Sequence, residues 1–472
     1  MIQLTHKIQE VFVMKKSIKI ISLLLAAAIS APLAGCGKQQ AKDGRITISF
    51  SNMPDQEAKP ADYKAMTEKI ARFEEKNPDI HVVGDTWGYD TQSFAAKAEG
   101  GTLPTVYKVP FTETKKLMDL GYAADVTEQI KSYGYYDLIS DYCMENISVD
   151  GKVYYMPDAI YSMNLMQNLN LFREAGLMDA DDTPKVPATY DELLSMAKTI
   201  KEKTGKAGFI IPTTNNLGGW QFTMIAWGFG AKFMEKKDGK YVACFDSPEC
   251  TAALQFIKDM KWKHHVLPES TLVNWEDQMK LFATDQCAMS IANPNTVTGL
   301  FRYGMDKNNV GIAKIPAGPA KRVTLVGGNY YTFSTAASPE QIDAAFKWLT
   351  FENDILNFDD DAKAAMEADI ALEAETSIVG LNELSVWNTS SEYQRYKDEL
   401  TKKYANINLN HVKNFNDQTG VEYQSEEPAC TQDLYSTLDA CIQEVLTNEN
   451  ADCAAILKQA NADFQANFLD YE

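Results

Sequence analysis

Two hydrophobic periods alternate along most of the chain. Residues 45–50 (RITISF) alternate apolar and polar positions, as in a half-buried β-strand, and residues 80–83 (IHVV) form a second candidate strand. Between them, Met66, Ile70 and Phe73 recur at helical spacing. The pattern therefore predicts a helix over residues 61–76 that ends before Pro78.

Further helices are predicted where a capping residue precedes an apolar pattern, at Thr189, Ser247 and Ser338. Residues 208–212 (GFIIP) and 310–315 (VGIAKI) predict two short, buried strands. Helical patterns dominate beyond Ser338. This order of elements indicates an α/β fold with a mostly parallel sheet and a helical C-terminal region.

The N-terminal segment has the layout of a secretory signal. Lys15, Lys16 and Lys19 precede an uncharged apolar run over residues 20–33. The alternative, a transmembrane anchor, needs about 20 apolar residues, and this run is shorter. We interpret residues 1–35 as a signal peptide, in which residues 1–13 are an upstream extension because Met14 is the more natural start.

Residues 33–36 (LAGC) end the apolar run and resemble the lipobox of bacterial lipoproteins, in which the cysteine is acylated. Cys36 is therefore the expected lipidation site, and residues 36–44 are a short polar tether. The protein is expected on the extracytoplasmic face of the cell membrane, held there by the lipid anchor.

Composition limits the classes of function. The chain has 472 residues, of which 45% are hydrophobic, so it can bury a large core. Its formal net charge of −20 makes nucleic acid a poor partner, because a phosphate backbone requires cationic contacts.

The sequence contains none of the common catalytic or metal-binding patterns. The sequence has no G-x-S-x-G, H-E-x-x-H or P-loop pattern, and no Cys/His cluster at zinc spacing. The seven cysteines after Cys36 cannot all pair with one another, and we interpret them mainly as small buried residues, with one or two disulfides as the open alternative. No catalytic residue, metal or cofactor is predicted.

Aromatic and amide residues beside glycine form three stretches, at residues 85–89 (DTWGY), 216–220 (NLGGW) and 327–331 (GGNYY). Aromatic rings can cover the apolar faces of a sugar, while amides and carboxylates bind its hydroxyl groups. Each stretch is predicted to lie in a glycine-rich loop after a strand. Core packing is the alternative for each ring, so the three stretches indicate a carbohydrate site only as a set.

Several blocks, in this order, resemble the extracellular solute-binding proteins of family 1, the sugar-binding lipoproteins of bacterial ABC importers. The resemblance covers nearly all of residues 45–472. Its blocks are residues 33–36, 46–50, 72–80, 100–106, 120–127, 151–157, 168–177, 187–193, 314–319, 327–328 and 446–460.

The resemblance implies a periplasmic-binding-protein fold, with two α/β lobes, a hinge and a ligand cleft between them. Crossings near Pro157 and Pro316 would divide the chain. The first lobe would comprise residues 45–157 and 316–345, and the second residues 158–315 and 346–472, including the C-terminal helices. A monomer is expected, which binds a carbohydrate and delivers it to ABC transporter permease subunits.

The expected ligand contacts follow from the aromatic stretches and the resemblance. The family often has Tyr where this chain has Gln167, which suggests either a different sugar or a contact that has moved to Tyr161. The other main candidates are Trp87, Trp220, Asn329, Tyr330 and Tyr331. Weaker candidates are Trp275, Asn293, Asn295 and Trp387.

Two alternatives to a sugar-binding protein remain open from the sequence. One is a surface-anchored glycan-degrading enzyme. The other is a binding protein for a non-sugar solute, such as a polyamine or a phosphorylated polyol.

Overall fold

The computed structural model describes residues 44–294, 296–351, 356, 358–376, 378–381 and 383–471. The predicted signal peptide, Cys36 and Asn295 lie outside these residues.

Thirteen strands are numbered in chain order over the described residues. They are β1 (Ile46–Phe50), β2 (Ile80–Gly84), β3 (Val106–Pro110), β4 (Ser148–Val149), β5 (Lys152–Val153), β6 (Tyr155–Ser162), β7 (Asn164–Asn168), β8 (Met234–Lys237), β9 (Lys240–Ala243), β10 (Met289–Ala292), β11 (Val310–Ala313), β12 (Val323–Phe333) and β13 (Glu422–Ser425).

Seventeen α-helices are numbered in the same way over the described residues. They are α1 (Pro60–Lys76), α2 (Thr91–Glu99), α3 (Thr114–Asp119), α4 (Thr127–Ser132), α5 (Asp141–Ile147), α6 (Leu169–Ala175), α7 (Tyr190–Thr204), α8 (Leu217–Phe229), α9 (Pro248–Trp262), α10 (Trp275–Ala283), α11 (Thr296–Leu300), α12 (Pro339–Thr350), α13 (Asp360–Thr376), α14 (Glu392–Lys403), α15 (Lys413–Asn416), α16 (Thr431–Thr447) and α17 (Cys453–Asn467). None of them is long and apolar enough to span a bilayer.

The capping signals in the sequence produce the helix starts that they predict. The Thr189 hydroxyl accepts a hydrogen bond from the Glu192 amide at the start of α7. Ser338 and Gln341 form a complete capping box at the start of α12. Local polar chemistry therefore sets these boundaries.

The larger sheet is mixed rather than mostly parallel, which corrects the sequence-based expectation. Its strand order is β13-β12-β3-β1-β2, and β6 pairs with the other edge of β12. Strands β1, β2 and β3 are parallel, whereas β12 is antiparallel to both β3 and β6. The reversal arises because β6 carries the chain out of the first lobe and β12 brings it back.

The smaller sheet has the order β10-β7-β11, and both of its pairings are antiparallel. The strand predicted over residues 208–212 does not form. Instead, Ala207 and Ile210 make isolated parallel bridges to Cys287 and Ser290 beside β10. This short apolar run is buried, although it forms no continuous ladder of β-sheet hydrogen bonds.

Two large hydrophobic cores define what we call the first and second lobes. The first core contains residues of β1, β2, β3 and α12. The second contains residues of β7, α7, α8, α9, α16 and α17. Strand β12 joins them, since Leu325 belongs to the second core and Val326 to the first.

This packing differs from the expected division at two places. The return crossing lies within β12 and not at Pro316, because Ala317 exchanges backbone hydrogen bonds with Ala188 and Tyr190 of the second lobe. Phe346 and Trp348 pack in the first core, although the predicted second lobe resumes at residue 346. Both residues lie on α12, and one helix presents a continuous buried face.

The buried cysteines agree with their interpretation as small core residues. Cys143, Cys250, Cys287, Cys441 and Cys453 are buried. Burial raises the pKa of the Cys287 thiol to about 12, so this group remains uncharged.

Candidate ligand-binding cavity

A cavity of about 220 Å³ lies between the two lobes, and we call it the interlobe cavity. It is lined by Pro110, Thr112, Tyr161, Asn215, Asn216, Leu217, Trp220, Gly328, Asn329, Glu426, Gln432 and Tyr435. Pro110 and Thr112 come from the first lobe, at the end of β3. The crossing strands β6 and β12 contribute Tyr161 and Asn329, and the second lobe contributes most of the rest.

Trp220 and Tyr161 form an aromatic corner in this cavity. Their ring centroids are 6.4 Å apart and their planes are nearly perpendicular, at 82°. Both side chains are only partly buried. Gly327 makes room for the corner, because a Cβ at this position would lie 2.8 Å from the Tyr161 hydroxyl oxygen.

The glycines before Trp220 have a different role from the predicted one. The sequence suggests that Gly218 and Gly219 bring the backbone close to a ligand, but both lie within α8 and pack inward. A Cβ on Gly219 would lie 2.1 Å from the carbonyl oxygen of Tyr435. These glycines therefore allow α8 to approach α16, and that approach places Trp220 at the cavity.

Asp439 anchors the same helix start. Its carboxylate accepts hydrogen bonds from the amides of Asn216 and Gly219, both at 2.7 Å. Exposed amides at a helix N-terminus favour a negative charge. Burial nevertheless raises the pKa of Asp439, because it outweighs these hydrogen bonds.

Glu426 is the carboxylate of the cavity. The Tyr435 hydroxyl donates a hydrogen bond to its Oε1 at 2.9 Å. Burial raises the pKa of Glu426 to about 7, and hydrogen bonds from Tyr435 and Trp220 oppose that rise. Burial and the nearby Glu426 in turn hold the pKa of Tyr435 well above its usual value.

Amide and hydroxyl groups complete the wall. The Asn216 side chain donates to the backbone oxygen of Gln432 at 3.1 Å, which links α8 to α16. Thr112 Oγ1 is buried and has no hydrogen-bond partner among the described residues. The cavity thus combines aromatic faces with polar groups, one of them unsatisfied, an arrangement suited to a small polar ligand.

Three of the predicted ligand contacts meet in this cavity, namely Trp220, Tyr161 and Asn329. Tyr330 does not, which corrects its expected role. It is fully buried and stacks on Phe111, with centroids 4.1 Å apart. It lies in β12, not in a loop, and the strand directs it into the first core.

Tyr331 and Trp387 line a separate cavity of about 430 Å³ in the first lobe. Lys108 lies over the Tyr331 ring and forms an ion pair with Asp158 at 2.8 Å. These two aromatic residues are therefore also placed away from the interlobe cavity.

The remaining predicted contacts have structural partners elsewhere. The Trp87 indole donates to the Ser93 hydroxyl at 2.9 Å, and Lys97 lies over its ring. Trp275 begins α10 and packs against a core of the second lobe. The Asn293 side chain accepts a hydrogen bond from the Thr296 amide at 3.1 Å. None of the three lines the interlobe cavity.

The sequence analysis missed Glu426, Gln432, Tyr435 and Thr112. Tyr435 adjoins the apolar stripe of α16 and has the pattern of a core residue. Two adjacent carboxylates, Glu426 and Glu427, precede that helix, and Glu427 is buried. That pair was the one signal in the sequence that could have indicated a functional position here.

The chain is similar to known proteins both in sequence and in fold. A family model described as "Bacterial extracellular solute-binding protein" matches residues 57–352. A galactooligosaccharide-binding protein of Bacillus subtilis is 23% identical over 341 residues, which cover 70% of this chain and 75% of that protein.

Solved structures share the fold at low sequence identity. Maltose-bound MalE3 of T. maritima has a TM-score of 0.66 and 20% identity, covering 89% of this chain and 99% of that one. UgpB of Mycobacterium tuberculosis, in complex with glycerophosphocholine, has a TM-score of 0.64 and 18% identity, covering 89% and 98%.

Proposed function

The chain belongs to the bacterial extracellular solute-binding proteins, and from this premise we propose that it binds a carbohydrate between its lobes for an ABC importer. In this role the protein performs no chemistry on its ligand. It binds the ligand, closes around it and passes it to the permease subunits in the membrane.

The composition of the interlobe cavity is the observation that carries this proposal. Trp220 and Tyr161 offer two ring faces, while Asn216, Asn329, Gln432 and Glu426 offer hydrogen-bonding groups. A sugar has apolar C–H faces and a belt of hydroxyl groups, so it can use both kinds of contact at once.

An oligosaccharide is the ligand that we favour. The B. subtilis relative is named for galactooligosaccharide binding. The cavity, at about 220 Å³, is smaller than the roughly 300–1,000 Å³ of typical drug-sized sites. An oligosaccharide would thus place one end in the cavity and extend along the cleft.

Thermal unfolding with a panel of mono- and oligosaccharides tests this function. A ligand that binds only the folded protein raises the melting temperature, and the stabilisation grows with the logarithm of the ligand concentration above its Kd. We expect at least one oligosaccharide to stabilise the protein and to be recovered unchanged after prolonged incubation. Turnover of the sugar would support a glycan-degrading enzyme instead.

A lipid anchor at Cys36 is the second part of the proposal. We expect Cys36→Ser to release the protein from membranes or to leave the signal peptide uncleaved, because the acyl acceptor is lost. Cys244→Ser, which alters a thiol of the folded part, is the control and should stay membrane-bound. Fractionation and intact mass report both outcomes, and normal cleavage with full membrane retention of Cys36→Ser would contradict the anchor.

A further inference from the structure

The interlobe cavity holds an ionisable carboxyl group, that of Glu426, without a matching cation. Among its twelve lining residues, all within the described chain, Glu426 is the only carboxylate, and no Lys, Arg or His lines the wall. The groups shown to hydrogen bond to Glu426 are Tyr435 and Trp220, which are neutral donors. Neutral donors hydrogen bond to the carboxyl group but leave its charge uncompensated when it ionises.

Among the described residues, the charged groups around the cavity add a second carboxylate near Glu426 and no cation that pairs with Glu426. Glu113, in the turn after β3, is close enough to Glu426 to raise the pKa of that carboxyl. Glu113 accepts a hydrogen bond from Tyr89 at 2.5 Å, and Lys116 lies 3.9 Å from its carboxylate. Lys116 also interacts with Asp433 on α16. The nearby cation is thus shared between two other carboxylates.

The aromatic corner suits a cation as well as a sugar ring. Trp220 and Tyr161 meet at 82° beside Glu426, and the buried Tyr435 forms a third aromatic wall. The faces of aromatic rings attract cations, most strongly where water is excluded. A positive group in this position would contact the ring faces and pair with the carboxylate.

We propose that the sugar unit held in the interlobe cavity carries a protonated amino group, which pairs with Glu426 between Trp220 and Tyr161. This inference rests on the proposed carbohydrate function and specifies the class of sugar. A neutral hydroxyl group would offer Glu426 no opposite charge to pair with when it ionises. A phosphorylated sugar would face Glu426 and Glu113 with no cation in the wall to pair with it.

Calorimetric titration with matched ligand pairs tests the proposal. Each pair is a disaccharide of one linkage in its neutral form and in a form with one hydroxyl of each sugar unit replaced by an amino group, for example cellobiose and the β-1,4-linked glucosamine dimer. The phosphorylated disaccharide and spermidine are further arms. We expect the amino form to bind about tenfold more tightly or better, because a charge-assisted hydrogen bond replaces a neutral one.

Two variants separate pairing with Glu426 from general effects of charge. Glu426→Gln keeps the shape and an acceptor oxygen but cannot carry a charge, so it should remove the preference for the amino form over the matched neutral form, whatever its effect on the affinity for neutral sugars. Glu427→Gln alters the neighbouring carboxylate outside the cavity and should retain the preference. Circular dichroism verifies that both variants fold.

The results distinguish failure of the amino-sugar inference from failure of the proposed carbohydrate function. Equal or tighter binding of the neutral sugars would overturn the amino-sugar inference and leave the carbohydrate function standing. An amino preference that survives in Glu426→Gln would also overturn it. Binding of spermidine ahead of every sugar, or no binding by any sugar, would overturn the carbohydrate function together with the inference.

Discussion

At the scale of single residues, Trp220 combines two roles. It packs partly against the second core, and it presents a face to the cavity beside Tyr161. The sequence suggested the position through its neighbouring glycines, but the reason lies in the helix contact that those glycines permit. Its contribution to affinity and its contribution to stability can therefore be measured separately.

Trp220→Ala should weaken sugar binding by about 2 kcal/mol or more, which is roughly thirtyfold in affinity, because it removes a large ring face from the centre of the site. Trp220→Phe should lose less, since a smaller face remains. Calorimetry measures the affinity. Trp275→Ala is the matched control, with a loss of stability and an unchanged affinity. The same affinity for wild type and Trp220→Ala would remove Trp220 from the site.

Glu427 gives a pH dependence of stability. Its Oε1 accepts a hydrogen bond from the Trp227 indole at 2.9 Å, and burial raises its pKa from 4.5 to about 7. The folded state therefore keeps a proton that the unfolded chain loses above about pH 4.5. The contribution of this group to stability is complete below that pH and is lost as the pH rises through about 7.

Glu427→Gln should reduce the fall in unfolding free energy between pH 5 and pH 8, by up to about 3 kcal/mol, because glutamine retains the hydrogen bond and cannot ionise. Urea unfolding at the two pH values measures the difference. Glu202→Gln, at an exposed site on α7, should follow wild type. A Glu427→Gln variant with the wild-type pH profile would contradict the raised pKa.

At the scale of elements, the packing of α8 on α16 builds the cavity wall. Helix α8 supplies Trp220, and α16 supplies Gln432 and Tyr435. Gly219 sets the distance between the two helices, and Asp439 of α16 caps the first turn of α8 through two amides. A change at this contact should alter both stability and the position of the aromatic corner.

Gly219→Ala should destabilise the protein by about 1–3 kcal/mol or more, because the added methyl group meets a backbone oxygen that cannot rotate away. Gly299→Ala on α11 is the control, because a Cβ added at Gly299 would have no atom within 4 Å. Alanine favours a helix over glycine by up to about 1 kcal/mol, so this variant should gain stability. Denaturant midpoints test the pair, and equal effects would contradict the packing described here.

At the scale of the whole molecule, the crossing strands β6 and β12 connect two cores that pack separately. The interlobe cavity has walls from both lobes, so its size depends on their relative position. Such an arrangement allows hinge closure around a ligand, which shifts the protein toward its closed population.

Saturating ligand should reduce the radius of gyration in small-angle X-ray scattering, because closure brings the lobes together. Trp220→Ala, measured at the same sugar concentration, should keep the larger radius of gyration of the open form, because its weaker affinity leaves it unsaturated. Tight binding with an unchanged radius of gyration would contradict ligand-driven closure.

The sequence by itself determined the elements whose causes are local. The alternation in residues 45–50 produced β1, and the side chains of Thr189, Ser247 and Ser338 set the starts of three helices. These features depend on residues a few positions apart, so a linear pattern contains them. The aromatic stretches also indicated a polar, ring-lined site.

Only the tertiary structure decided which of those residues share a cavity. Tyr330 and Tyr331 are adjacent in the sequence, yet one is buried in the first core and the other lines a different cavity. Tyr161, Trp220 and Glu426 are far apart in the chain and meet through the crossing strands and the contact between α8 and α16. A binding site is a property of packing between distant segments, and single-chain periodicity cannot specify that packing.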